Sequence, residues 1–193
     1  MNPKIKMVLL VALQTLALFF MIGLKQWTLE TGVPVVLETR PVDPRSLFSG
    51  DYIRLNYTIS QISEEIGEES GFNPHDTIYI VLKEGDPYWT PVSIHHQRPD
   101  TAPGLVAIKG EVLGTSGTRW NPETRSPEPL PGRNLSIRYG IENYYVPEGE
   151  GTRLERPGPD AKLSIRVAVD RFGNAGIQAV LINGQERYVE SLF

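Results

Sequence analysis

An uninterrupted apolar run constrains this chain more than any other feature. It begins at Met7, ends at Leu24 and reads MVLLVALQTLALFFMIGL: 18 residues without a charge, only Gln14 and Thr15 appreciably polar. Wound as an α-helix at about 1.5 Å per residue it spans roughly 27 Å, close to the roughly 30 Å thickness of a bilayer's hydrocarbon core. A helix in a soluble core keeps a polar face, and this run has none. The expectation is a single transmembrane helix whose first partner is the lipid bilayer. Lys4 and Lys6 precede the run and no acid occurs before Glu30, so the positive-inside rule puts the amino terminus in the cytoplasm and the remainder in the periplasm or outside the cell. Lys25 pulls slightly the other way, and Trp27 falls at head-group depth. A cleaved signal peptide would have a shorter apolar region closed by a small-x-small pair. Phe19-Phe20-Met21-Ile22-Gly23-Leu24 offers no such pair, so a retained signal anchor is expected.

This divides the 193 residues into a cytoplasmic tail and anchor, 1–25, and one extracytoplasmic β-rich domain, 26–193. A domain of that length buries enough surface to fold without disulfides or a structural metal. The chain has no Cys, which removes thiolate zinc sites, cysteine nucleophiles and redox dithiols. Apart from Lys4 and Lys6, 17 basic residues face 23 acidic ones, a net charge of −6. Reading nucleic-acid phosphates needs a basic stripe, so no nucleic-acid partner is expected.

Beyond Gln26 the pattern has period two, punctuated by Gly and Pro, and predicts a mainly β fold: an antiparallel sandwich or barrel-like domain with short helical insertions. Strands are predicted over residues 33–38, 51–60, 78–83, 88–95, 105–113, 135–141, 163–170 and 176–182. In the second, Ile53, Leu55, Tyr57 and Ile59 share one face. Glu84-Gly85-Asp86-Pro87 and Arg171-Phe172-Gly173-Asn174 are turns, and Asn183-Gly184 is a type I′ turn into a last strand over 186–189. Residues 62–69 are expected to form one or two helical turns, with Glu64, Glu65, Glu68 and Glu69 a solvated acidic face. The stretch 114–132, with Pro122, Pro127, Pro129 and Pro131, is expected to be a long exposed loop.

Two constellations are candidate binding or docking surfaces. The first, within Arg40-Pro41-Val42-Asp43-Pro44-Arg45, leads into Gly50-Asp51-Tyr52-Ile53-Arg54-Leu55-Asn56-Tyr57 and supplies Asp43, Arg45, Asp51, Tyr52 and Tyr57. Gly50 and Asp51 can fix how the strand begins, through a left-handed backbone and carboxylate-to-N–H bonds. The second, Tyr139-Gly140-Ile141-Glu142-Asn143-Tyr144-Tyr145-Val146-Pro147-Glu148, supplies Glu142, Tyr145 and Glu148. The two blocks are expected to share one surface.

These strings resemble the signature blocks of the GDYXXLXY proteins. The resemblance covers most of the chain after the anchor. It implies a bacterial membrane-anchored protein without an established activity, and a multi-pass membrane protein as partner. The leading expectation is an accessory or binding subunit with no catalytic residue, no cofactor and no metal. The rival is an envelope hydrolase, or a glycan- or peptide-processing enzyme, using Glu142, Glu148 and Tyr145. The segment before Gly50 faintly resembles that of signal-peptidase-like serine/lysine proteases, but Val42 stands where their Ser belongs and cannot be a nucleophile. Ser46 or Ser49 with Lys83 or Lys109 is the remaining formal pairing. His95-His96 would point to opposite strand faces, which argues against one shared ion.

Overall fold

The computed structural model describes residues 2–40, 52–67, 69–121, 126–145 and 162–189. Among the described residues the one α-helix, α1, runs Pro3–Thr31. Asn2 caps its start, the side-chain oxygen accepting from Lys4 N–H, and Pro3 takes the first helical position, where no N–H is needed. The helix is long and apolar enough to cross a membrane, and its whole apolar run is exposed.

The helix continues past Leu24 for seven residues, and these make its contacts with the rest of the protein. Gly32 alone separates it from β1, Val33–Arg40. Thr28 is buried and its hydroxyl donates to Asp170 Oδ2 at 2.8 Å. Gln178 Nε2 donates to Leu29 O at 2.8 Å. The approach is close because two glycines permit it: a Cβ on Gly176 would lie 2.8 Å from Leu29 Cδ2, and one on Gly32 would lie 2.9 Å from the Ala168 Cβ.

The β structure contains β2, Tyr52–Arg54; β3, Asn56–Tyr57; β4, Gln61–Ser63; β5, Thr77–Lys83; β6, Thr90–His95; β7, Leu105–Asn121; β8, Ser126–Arg138; β9, Asn143–Tyr145; β10, Leu163–Val169; β11, Ala175–Ile182; and β12, Gln185–Val189. They form two five-stranded antiparallel sheets, ordered β12-β11-β10-β1-β3 and β4-β8-β7-β5-β6, and a ribbon of β2 with β9. The mainly β fold anticipated from period-two patterning is therefore observed. One core unites the sheets, with Val35, Leu37, Ile165 and Val167 from the first and Ile78, Ile80, Leu82, Ile108, Leu135 and Ile137 from the second. In β10 Ser164 and Ala168 are buried as well as Ile165 and Val167, and the end of α1 covers the strand where Ala168 meets Gly32.

Three local expectations are corrected. The strand predicted over 51–60 is broken at Leu55: β2 joins the ribbon, β3 joins β1, and Thr58–Ser60 makes a 3₁₀ turn. Leu55, Tyr57 and Ile59 are nevertheless all buried, as alternation requires. Of the one or two helical turns expected over 62–69, one forms, a 3₁₀ turn over Glu64–Ile66, and it is shorter than expected because β4 extends to Ser63. The proline-rich stretch expected to be a loop belongs largely to the β7–β8 hairpin, in which Thr118 pairs with Pro129 and Trp120 with Pro127. Proline every second residue suits an edge, because the missing N–H groups then all fall on the unpaired side. β4 pairs with β8 only at Asn134, Leu135 and Ser136, beyond the prolines. At the other end of the chain the type I′ turn forms as read, with φ of 52° at Asn183 and 78° at Gly184.

Asp170 closes the turn between β10 and β11 and also holds the helix. Oδ1 accepts from the N–H groups of Phe172 and Asn174, while Oδ2 accepts from Thr28 Oγ1 and Asn174 Nδ2. Burial works to raise this carboxyl, but the donors, led by Asn174 and Thr28, outweigh it and hold it below the ordinary carboxylate range. Because the folded value is the depressed one, the stabilisation is complete above the unfolded value of about 3.9 and is lost as pH falls through the folded value. Asp170→Ala, which strands several of these donors, is expected to cost about 2–3 kcal/mol in denaturant unfolding in detergent. Asp170→Asn is expected to flatten the fall in stability below pH 4, and an unchanged acid profile would remove Asp170 from that account.

Candidate functional site

The two sequence blocks meet. In the ribbon Tyr52 pairs with Tyr145, Ile53 with Tyr144 and Arg54 with Asn143. The pairing continues one residue further, where Leu55 N–H donates to Glu142 O at 2.7 Å. Below the ribbon two tyrosines cross-link the segments reciprocally. Tyr57 Oη donates to Ile141 O and Tyr139 Oη donates to Ile59 O, each at 2.6 Å. Each hydroxyl thus reaches the carbonyl two residues beyond the other tyrosine. Both rings are buried, at 1% and 7% exposure, so the hydroxyls need partners and the carbonyls supply them. Burial pushes both hydroxyls well above the usual tyrosine value, and the Glu142 charge adds to the effect. They stay neutral donors at any physiological pH.

Glu142 sits where the second segment turns. Its Oε1 accepts from Tyr139 N–H at 2.5 Å and its Oε2 from Gly140 N–H at 3.0 Å. Gly140 has φ of +79°, a conformation that costs glycine nothing, and the turn sends Ile141 inward to meet Tyr57. Next to it, Arg138 Nη2 donates to Glu111 Oε2 at 2.7 Å, and His75 Nδ1 lies 3.3 Å from Glu111 Oε1. Arg138, then His75, hold the Glu111 carboxyl below its ordinary value.

Of the eight candidate residues, Tyr52, Tyr57, Glu142 and Tyr145 lie within the described part. Asp43, Arg45, Asp51 and Glu148 lie outside it, as do Ser46 and Ser49. Tyr52 and Tyr145 are brought together by backbone pairing, and the Tyr145 side chain is 78% exposed. Tyr57 lies beneath the surface, and the Glu142 carboxylate is engaged by its own turn. Sequence reasoning missed Tyr139 as the counterpart of Tyr57. A signal was present, since Tyr57-Thr58-Ile59 and Tyr139-Gly140-Ile141 are both Tyr-x-Ile.

The acidic stretch is not the uniformly solvated face expected of it. Glu64 is buried: Oε1 accepts from the N–H groups of Gly71 and Phe72, and Oε2 lies 3.6 Å from Arg133 Nε. Arg133, also buried, donates through Nη2 to Phe72 O. A buried carboxylate is tolerable only with such donors and a countercharge. Glu69 accepts from His96 N–H at 2.7 Å and lies 3.1 Å from His95 Nδ1, and these contacts, the His96 N–H foremost, hold its carboxyl low. The His96 ring stacks on Phe72 at 4.3 Å. Both histidines thus fasten one loop. Among the described residues no group of three or more His, Asp or Glu side chains is arranged to hold a metal ion.

A long apolar helix running straight into two antiparallel sheets, closed by the ribbon of β2 with β9 and a tyrosine clasp, defines a helix-tethered β protein. The chain belongs to the GDYXXLXY protein family, whose model matches residues 14–180. That span takes in the second half of α1, the Thr28 to Asp170 junction and both Tyr-x-Ile segments. No curated protein and no solved structure matches the chain.

The clasp yields a direct expectation. Tyr57→Phe, which removes one buried hydroxyl and leaves Ile141 O without its donor, is expected to cost about 1–2 kcal/mol. Amide hydrogen exchange at Leu55 should quicken with it. Glu142→Gln, which retains one acceptor oxygen where two N–H groups need one each, is expected to destabilise less than Glu142→Ala. Wild-type exchange at Leu55 in Tyr57→Phe would show that the clasp does not hold the ribbon.

Proposed function

We propose that this protein is a single-pass membrane-anchored accessory subunit, with its amino terminus in the cytoplasm and its β domain on the periplasmic or extracellular side. In this reading it works with a multi-pass membrane protein. The observation that carries it is the contrast within α1. The apolar run is wholly exposed, whereas Thr28 and Leu29 near the end of the same helix are bonded to the β10–β11 turn and to β11. An exposed apolar face of that extent is costly in water and neutral among lipid tails. Lys4 and Lys6 before the run favour the stated orientation. A helix bonded to its domain, without a flexible linker, suits a protein that must present one surface at a fixed height above the bilayer.

The surface proposed for docking surrounds the ribbon, where Tyr52 and Tyr145 pair at the ends of segments leading to Asp43, Arg45 and Asp51 on one side and Glu148 on the other. Glu142 contributes by bracing the turn behind it, and Tyr57 by holding the ribbon from below.

Two measurements test this. The full-length chain is expected to stay with membranes through alkaline carbonate extraction. An alkaline phosphatase fused at the carboxyl terminus is expected to be active, and one fused after Lys6 inactive. Release by carbonate would end the anchoring proposal, and the opposite fusion pattern would reverse the orientation. In native membranes, Tyr145→Ala is expected to weaken co-purification of the partner with no loss of thermal stability.

A further inference from the structure

The rotational position of α1 relative to the β domain is set by four residues on one stripe, Lys25, Thr28, Leu29 and Gly32, all close to β10, β11 or the turn between them. At about 100° per residue, Gln14 lies roughly 40° from Thr28 and 20° from Lys25, on that same stripe. It is the eighth residue of the 18-residue apolar run, near mid-bilayer depth if the run spans the membrane. Thr15, its polar neighbour, returns its hydroxyl to Val11 O at 2.9 Å and needs nothing from outside the helix. The Gln14 carboxamide is exposed and, among the described residues, makes no hydrogen bond. In hydrocarbon its two donors and its acceptor oxygen have no water to turn to.

We infer that Gln14 marks a docking face for a transmembrane helix of another protein, one that offers a hydroxyl, carboxamide or open backbone carbonyl at mid-bilayer depth and ends in a short loop beneath the β10–β11 hairpin. The inference rests on the membrane-anchored reading given above. The occupant follows from the side on which Gln14 lies. Packed helices sit about 8–10 Å apart, and the β domain already occupies that side of α1 just above the apolar run. A parallel second copy bonded through its own Gln14 would bring its β10–β11 hairpin into the same gap. A helix carrying no bulky domain above it fits there, with Leu18 and Met21 supplying apolar contact on the same face.

The test uses the full chain in its native membranes, with the photoreactive residue benzoylphenylalanine placed either at Met21, on the Gln14 face, or at Leu16, on the opposite face. The Met21 probe is expected to give one adduct of discrete mass and the Leu16 probe only lipid. Gln14→Leu should cut the Met21 adduct about three- to tenfold and Gln14→Asn should restore part of it. Carbonate-resistant membrane retention should not change. Equal adducts from both faces, or an adduct indifferent to Gln14→Leu, overturns the inference while leaving the anchoring reading intact. So does an adduct of twice the chain mass, or an oxidised dimer of Gln14→Cys, whose thiol would be the chain's sole one. Loss of retention in the unaltered chain overturns the anchoring reading and this inference with it.

Discussion

The reciprocal bonds of Tyr57 and Tyr139 are the constraint from which the arrangement of the β domain follows. The segment containing Tyr57 leaves the ribbon at Leu55, pairs with β1 and then crosses to the second sheet as β4. The segment containing Tyr139 leaves the second sheet at the end of β8 and enters the ribbon as β9. Each therefore connects the ribbon to a five-stranded sheet, and each exposes backbone carbonyls where it changes partner. A buried carbonyl without a donor is costly. The two hydroxyls meet that need from inside the core, and the large rings that carry them fill the space between the segments. The Leu and the final Tyr of the Gly-Asp-Tyr-x-x-Leu-x-Tyr string thus have structural reasons for their spacing: both point inward, two residues apart on one face, one packing and the other bonding.

The same economy governs the charged groups. Glu64 faces Arg133 and two backbone donors, Glu69 faces two histidines, Glu142 faces its own turn, and Asp170 faces four donors. Each carboxylate ties down a loop or a junction next to a strand end. An acid placed there replaces the missing sheet partner of one or two N–H groups, and several N–H donors outweigh the cost of partial burial, as the depressed acidity range of Asp170 illustrates.

How much of this was legible depended on whether the controlling interaction was local. Strands whose apolar residues recur at every second position of the sequence, such as Val33–Arg40, Thr77–Lys83 and Leu163–Val169, announced themselves, as did the Asn183-Gly184 turn, because sequence periodicity and turn chemistry are written in adjacent residues. The break at Leu55 was not legible, since alternation carries on unbroken through it while the backbone changes partners, Leu55 turning to Glu142 of a distant segment. The proline-rich part of β7–β8 was misread for a different reason. Proline opposes pairing on one side of a strand only, and whether that side faces a neighbour is a tertiary fact. Within the candidate surface, the meeting of the two blocks and the inward direction of Tyr57 were foreseen, but the bond of its hydroxyl to Ile141 O and the engagement of Glu142 by its own turn were not. A tyrosine or a glutamate in a sequence does not declare whether its polar atom faces solvent or a backbone group eighty residues away.

The single glycine between the helix and the first strand has a mechanical consequence. A transmembrane segment adjusts to the thickness of the surrounding bilayer chiefly by leaning. A flexible linker would absorb such leaning and the soluble part would not register it. With Gly32 wedged against Ala168 and Thr28 fastened to Asp170, the sheets have no such joint. If α1 spans a bilayer as proposed, a lean of the helix would be passed on as an inclination of the whole β body, and bilayer thickness would set the angle at which that body is held.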